Sequence, residues 1–177
     1  MSGNVMSGTT ASMPRPACDP AIYRRYDWLL RRTFHDLSVG RATVRPYLAA
    51  LLAGARQVGH SAFPTVLRAA DAARSAGDAE VELRLRRRLG DVALLVLGLT
   101  EPERDVAELL FLEGPRAYRD AAFLGARLGR PSAAVMHHLA GQFGTYVSAL
   151  RHLRSKFLEP RSGRARPPAG DEPAPRT

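Results

Sequence analysis

Between residues 19 and 158 apolar residues recur at steps of three and four, the spacing that gathers side chains on one side of an α-helix. The first such stretch follows Asp19, an N-cap residue type, and Pro20, which suits the first helical position. Its apolar face is Ile22, Tyr26, Leu29, Leu30 and Thr33, with Arg24, Arg25, Arg31 and Arg32 on the margins. Trp28 falls off that face and is expected to cover a second contact. Leu37–Thr43 reads as a connector punctuated by Gly40. Thr43 then caps a second helix, with Tyr47, Leu48, Leu51, Leu52 and Ala55 inward, Pro46 in its first turn and Gly59 at its end. A third helix is expected from about Ser61 to Ser75, with Pro64 in its first turn and Gly77 as a left-handed C-cap.

Asp78 caps a fourth helix whose first half is amphipathic through Val81, Leu85 and Leu89, while Val92–Leu99 is apolar all round. A helix half of that kind belongs in the middle of a bundle. Its seven aliphatic side chains, at about 1.5–3 kcal/mol each, make it the largest hydrophobic contribution in the chain. Thr100-Glu101-Pro102-Glu103 reads as a capping box that opens a fifth helix, carried by Val106, Leu109 and Leu110 to Gly114. Pro115 is expected to open a sixth helix, with Tyr118, Ala122 and Phe123 inward, that closes at Gly129. Pro131 or Ser132 opens the last and longest, with Val135, Leu139, Phe143, Tyr146, Val147, Leu150, Leu153, Arg154 and Phe157 along one face.

No alternating β-branched stretch and no Asn-Gly or Asp-Gly hairpin signal interrupts this series. The prediction is an all-α, single-domain bundle of six or seven helices over residues 19–158. Residues 1–18 read as a disordered leader and residues 159–177 as a disordered Pro/Arg-rich tail.

Charge adds a possible class of partner. The formal net charge is +9, and Lys156 is the only lysine among 26 basic residues. The densest cluster is Arg84, Arg86, Arg87 and Arg88, which at 100° per residue spreads around much of a helix instead of forming one stripe. The cluster is either solvated and acid-paired or, with Arg151 and Arg154, an anion-binding footprint. Nucleic acid bound through it is expected to be held weakly and without sequence preference. A single cysteine, Cys18, excludes an intrachain disulfide framework and a thiolate metal cluster. No apolar run approaches the roughly 20 residues of a membrane span, and residues 1–19 lack the layout of a secretory signal. A cytoplasmic protein without a membrane partner is expected.

Candidate chemistry is sparse. Asp91 stands where the fourth helix turns wholly apolar, and a carboxylate there is costly unless it is bonded. Arg87 and Arg88 can reach it within the helix, and Tyr118 or Arg119 from a neighbouring one. Asp91, Tyr118 and Arg119 are therefore candidates for a structural anchor or a ligand site. The five histidines, His35, His60, His137, His138 and His152, include no pair at the i, i+3 or i+4 spacing that helical metal ligation needs. With no strand there is no strand-borne phosphate loop, and no serine elbow is present. No catalytic residue, metal or cofactor is expected.

Two resemblances bear on function. Leu112-Glu113-Gly114, Ala117-Tyr118-Arg119-Asp120 and Leu128-Gly129-Arg130-Pro131-Ser132-Ala133-Ala134-Val135, with Leu139 beyond, resemble the promoter-reading helix-turn-helix domain of sigma factors. That resemblance implies a nucleic-acid-binding regulator with its recognition helix starting near Pro131. Over roughly Tyr23–Phe157 the chain is similar to a widespread set of uncharacterised bacterial helical proteins. The residues that carry this are Arg88-Leu89-Gly90-Asp91-Val92-Ala93-Leu94, Gly114-Pro115-Arg116-Ala117-Tyr118 and Leu139-Ala140-Gly141-Gln142-Phe143. This second resemblance implies a soluble helical protein and lends no catalytic residue. The leading expectation is a non-enzymatic interaction or regulatory module that binds a protein partner or associates with itself through part of the last helix. A sigma-like nucleic-acid regulator and a small-ligand or enzyme site around Asp91 are the alternatives.

Overall fold

The computed structural model of the chain describes residues 19–40, 42–55 and 63–159, and among these it contains seven α-helices and no strand. They are α1 (Pro20–Asp36), α2 (Val44–Gly54), α3 (Phe63–Ser75), α4 (Ala79–Leu99), α5 (Arg104–Arg127), α6 (Ala133–Gly141) and α7 (Phe143–Leu153). A π-helical turn, Arg154–Leu158, follows α7. The expected leader, the expected tail beyond Glu159, Cys18, Gly59, His60 and Ser61 lie outside the described residues.

Local signals set several boundaries. The Asp19 carboxylate accepts from the Ala21 N–H at 2.8 Å, and the Asp78 carboxylate accepts from the Val81 N–H at 3.0 Å. Each satisfies an N–H that a helix start leaves without a partner. Gly77 and Gly129 take positive φ, +73° and +64°, where the chain turns out of α3 and α5. Thr43 precedes α2 but makes no side-chain cap bond.

The core is organised around α4, which packs against α3, α5 and α7. Val92 through Gly98 are buried without interruption, as an all-round apolar helix half requires. α6 packs on α5, and α1 packs on α2 and α7. Trp28 does not reach a second apolar contact; it is 51% exposed, and the Arg32 guanidinium lies over its ring.

Three expected helix ends are corrected. Thr100 does not open α5; its hydroxyl donates to the Val96 carbonyl at 2.7 Å and closes α4, and α5 begins after Glu103. Pro115 does not open a helix either, because α5 runs through it. An internal proline removes one backbone hydrogen bond and costs about 3 kcal/mol. Continuity is preserved because Leu110, Gly114, Ala117, Tyr118 and Ala121 stay on one buried face across the proline. The last helix is divided at Gln142 (φ −121°, ψ 27°) into α6 and α7. Gly141 and Gly144 flank that point with open space around them, so low helix propensity weakens the chain there. The two pieces then serve different neighbours, α6 on α5 and α7 on α4.

Candidate functional site

Asp91 is the centre of a polar cluster drawn from three helices. On one side of it Tyr47 of α2 donates its hydroxyl to Asp91 Oδ1. On the other, Tyr118 of α5 donates to the same oxygen at 2.8 Å. Arg87, one turn earlier on α4, approaches Asp91 Oδ2 at 3.8 Å and donates to the Tyr47 hydroxyl at 3.1 Å. Its guanidinium also lies over the Tyr47 ring, 4.9 Å from the centroid. The Asp91 side chain is 16% exposed.

The electrostatics follow from burial. Removal from water raises the Asp91 carboxyl above the ordinary aspartate range, against the lowering pull of the Tyr47 hydroxyl, the Arg87 charge and the Tyr118 hydroxyl. Burial, with the Asp91 charge second, pushes both tyrosine hydroxyls well above their usual value. Both phenols therefore stay protonated and keep donating.

Small residues make the approach of these rings possible. A Cβ on Gly90 would stand 2.7 Å from Tyr118 Cδ1, so the residue before Asp91 has to be glycine for the ring to lie where it does. A Cβ on Gly114 would stand 2.5 Å from Phe143 Cζ and 2.9 Å from Ala93 Cβ. The Tyr118 and Phe143 rings are 6.1 Å apart and tilted by 57°. Gly90-Asp91, Gly114, Tyr118 and Phe143, which stand in three separate stretches of sequence, thus meet in one place.

A second polar cluster lies between α3, α4 and α5. Arg86 is 5% exposed and approaches Asp71 at 2.7 Å, Glu82 at 3.5 Å and Asp120 at 3.7 Å. Arg74 contacts Glu82 at 2.7 Å and Asp120 at 3.2 Å. The bond to Glu82 is the main reason that the Arg74 guanidinium is held above its usual value.

The residues singled out from sequence are thus dispersed. Tyr118 and Arg87 reach Asp91, whereas Arg88 and Arg119 are exposed and contribute nothing to it. Arg84 is exposed and Arg86 is bound among acids. Arg151 donates to the Leu97 carbonyl at 2.9 Å, and Arg154 contacts Glu101 at 2.7 Å. Arg84–Arg88 and the pair Arg151 and Arg154 therefore sit toward opposite ends of α4. Sequence reasoning missed Tyr47 as a partner of Asp91. Its signal was a phenol on an apolar helix face, where a hydroxyl needs an acceptor.

Two shallow clefts are present, of about 280 and 240 Å³. One is lined by the α1–α2 connector with His138, Gln142, Thr145 and Tyr146, the other by Leu67, Asp71, Arg74, Arg86, Leu109, Glu113 and Arg116. Asp91 lines neither. Its Oδ1 accepts from both phenols while Oδ2 has the Arg87 guanidinium at 3.8 Å, and these contacts link α2, α4 and α5. Among the described residues no group of three or more His, Cys, Asp or Glu could hold a metal ion, and no helix is long and apolar enough to cross a membrane.

The turn between α5 and α6, with Gly129 in the left-handed region, has helices on both sides. The first turns of α6, Ala133-Ala134-Val135-Met136, carry none of the Arg, Lys, Asn or Gln that read base edges. Comparison with protein-family models, with curated proteins and with solved structures finds no match.

Proposed function

We propose that this chain is a non-enzymatic helical interaction module whose contact surface is the outward side of α5. One observation carries the reading. Leu112 and Phe123 are 67% and 63% exposed, Leu109 beside Leu112 is 48% exposed, and Val106 and Phe111 on the flanks of the helix are 43% and 40% exposed. Single exposed apolar residues are ordinary, but five on one helix, two of them about two-thirds exposed, mark a contact surface. Leu109, Leu112 and Phe123 lie on the side of α5 opposite its buried line of Leu110, Gly114, Ala117 and Ala121. The occupied state of both polar clusters supports the same reading, since each is directed at holding helices together.

The test is a photoreactive phenylalanine derivative placed at position 112 in the producing cell, with position 84 on the exposed side of α4 as control. A covalent adduct from 112 and none from 84, identified by mass spectrometry, is the expected result. No adduct from 112 or from 123 would overturn the assignment of this surface.

A further inference from the structure

The outward stripe of α5 continues beyond its apolar residues, and the continuation is charged in an ordered way. Asp105, Leu109, Leu112, Arg116, Arg119 and Phe123 follow one another at steps of four, three, four, three and four. At 100° per residue they fall within about 80° of the helix circumference. Glu108 borders the same stripe. The acids stand at the N-terminal end, the leucines in the middle and the arginines beyond them.

A helix with that order complements itself when turned end for end. Placing a twofold axis at Leu112 sets Asp105 opposite Arg119, Glu108 opposite Arg116, and Leu112 opposite its own copy. A parallel arrangement would instead set each charge against its like. Asp105 and Arg119 are exposed and have no partner among the described residues. Among the described residues Glu108 and Arg116 have contacts only within α5, Glu108 to the exposed Arg104 at 2.9 Å and Arg116 to the half-buried Glu113 at 3.6 Å. Such pairs are worth little and are readily exchanged.

We propose that two copies of this chain associate through α5, antiparallel about a twofold axis at Leu112, with Asp105 and Glu108 of each copy facing Arg119 and Arg116 of the other. The proposal rests on the reading of α5 as a contact surface and names its occupant. The contact is isologous, so it closes at two copies. With the axis at Leu112 the two helices overlap over Arg104–Asp120, about 25 Å, which gives less area than the roughly 800 Å² per partner of a standard interface. Association in the micromolar range is the expected result.

Sedimentation velocity of the full chain between about 1 and 200 µM tests it. A monomer–dimer equilibrium that weakens as salt rises is expected. Leu112→Asp, which sets two carboxylates against each other on the axis, should leave monomer throughout. Asp105→Arg and Arg119→Asp should each weaken association by about tenfold or more, and the double exchange Asp105→Arg/Arg119→Asp should restore it. All these positions are exposed, and thermal melts establish that each variant is folded. Monomer at every concentration, a dimer indifferent to Leu112→Asp, or a double exchange that fails to restore association would overturn the proposal. If the chain is monomeric while position 112 crosslinks to a different protein, the contact surface stands and its occupation by a second copy is refuted.

Discussion

Arg86 and Arg87 are neighbours in the chain and about 100° apart around α4, and each is committed to a different kind of cluster. Arg86 faces α3 and α5 and is met by full opposite charges on Asp71, Glu82 and Asp120. Arg87 faces α2 and approaches the second oxygen of a carboxylate whose first oxygen accepts from two neutral phenols. The first cluster answers burial with charge and the second with oriented hydroxyl dipoles. The distinction governs what each side tolerates. A charge-balanced group loses its balance when one member goes, whereas a hydroxyl-bonded oxygen can be exchanged for another oxygen acceptor.

The largest effect is therefore expected on the Arg86 side. Arg86→Met keeps the length of the chain but leaves the buried Glu82 with Arg74 as its one cation, and should destabilise the fold by about 3–5 kcal/mol. Denaturant melts measure this, and a loss below about 1 kcal/mol would remove the contrast between the clusters. Asp91→Ala should cost about 2–4 kcal/mol, because it takes the acceptor from the buried Tyr118 and the half-buried Tyr47 at once. Gly90→Ala should follow at about 1–3 kcal/mol, since the added Cβ collides with the Tyr118 ring. Combining Gly90→Ala with Tyr118→Leu should cost less than the sum of the two changes, which a double-mutant cycle reads directly.

Asp91→Asn is expected to have the smallest effect, about 1 kcal/mol or less, because an amide oxygen accepts from both phenols. Its pH dependence sharpens the comparison. Burial raises the Asp91 carboxyl in the fold, so the stability linked to its protonation is fully present below the ordinary aspartate value and is lost as pH rises through the raised one. Acidification should therefore favour the native protein relative to Asp91→Asn. Asp36 works in the opposite sense. Chiefly through its bond to Lys156 it is held below the usual value, so its stabilisation is present at neutral pH and lost on acidification. A gap between the parent protein and Asp91→Asn that stays constant from neutral pH to pH 4 would show that Asp91 is not raised by burial.

Much of the bundle was legible because its signals are local. The Asp19 and Asp78 caps, the left-handed Gly77 and the wholly apolar half of α4 depend on residues within a turn or two. Pro115 was misleading for the same reason: locally it signals a start, and only the buried line of α5 on both sides of it overrides that signal. The break at Gln142 depends on which neighbour each half finds, and helical spacing alone is blind to this. At the Asp91 cluster the sequence offered Arg87 and Tyr118 as partners but hid Tyr47, whose ring fits the apolar periodicity of α2 while its hydroxyl answers to a different helix. Arg86 looked like its neighbours Arg84 and Arg88. The acids that bury it come partly from α3 and α5, which no spacing rule connects to it.

The Asp91 tie also bears on how long the folded state lasts. Its partners stand 44 and 27 positions away in the chain, so both bonds close long loops and require α2, α4 and α5 to be docked already. A contact of that kind is expected to have a low φ-value, so that its loss falls mainly on the unfolding rate. Asp91→Ala is accordingly expected to leave the refolding rate nearly unchanged and to speed unfolding, which stopped-flow chevrons separate. On that expectation the carboxylate acts as a latch on lifetime, setting how rarely the bundle opens and how seldom the interior of α4 is exposed to proteases.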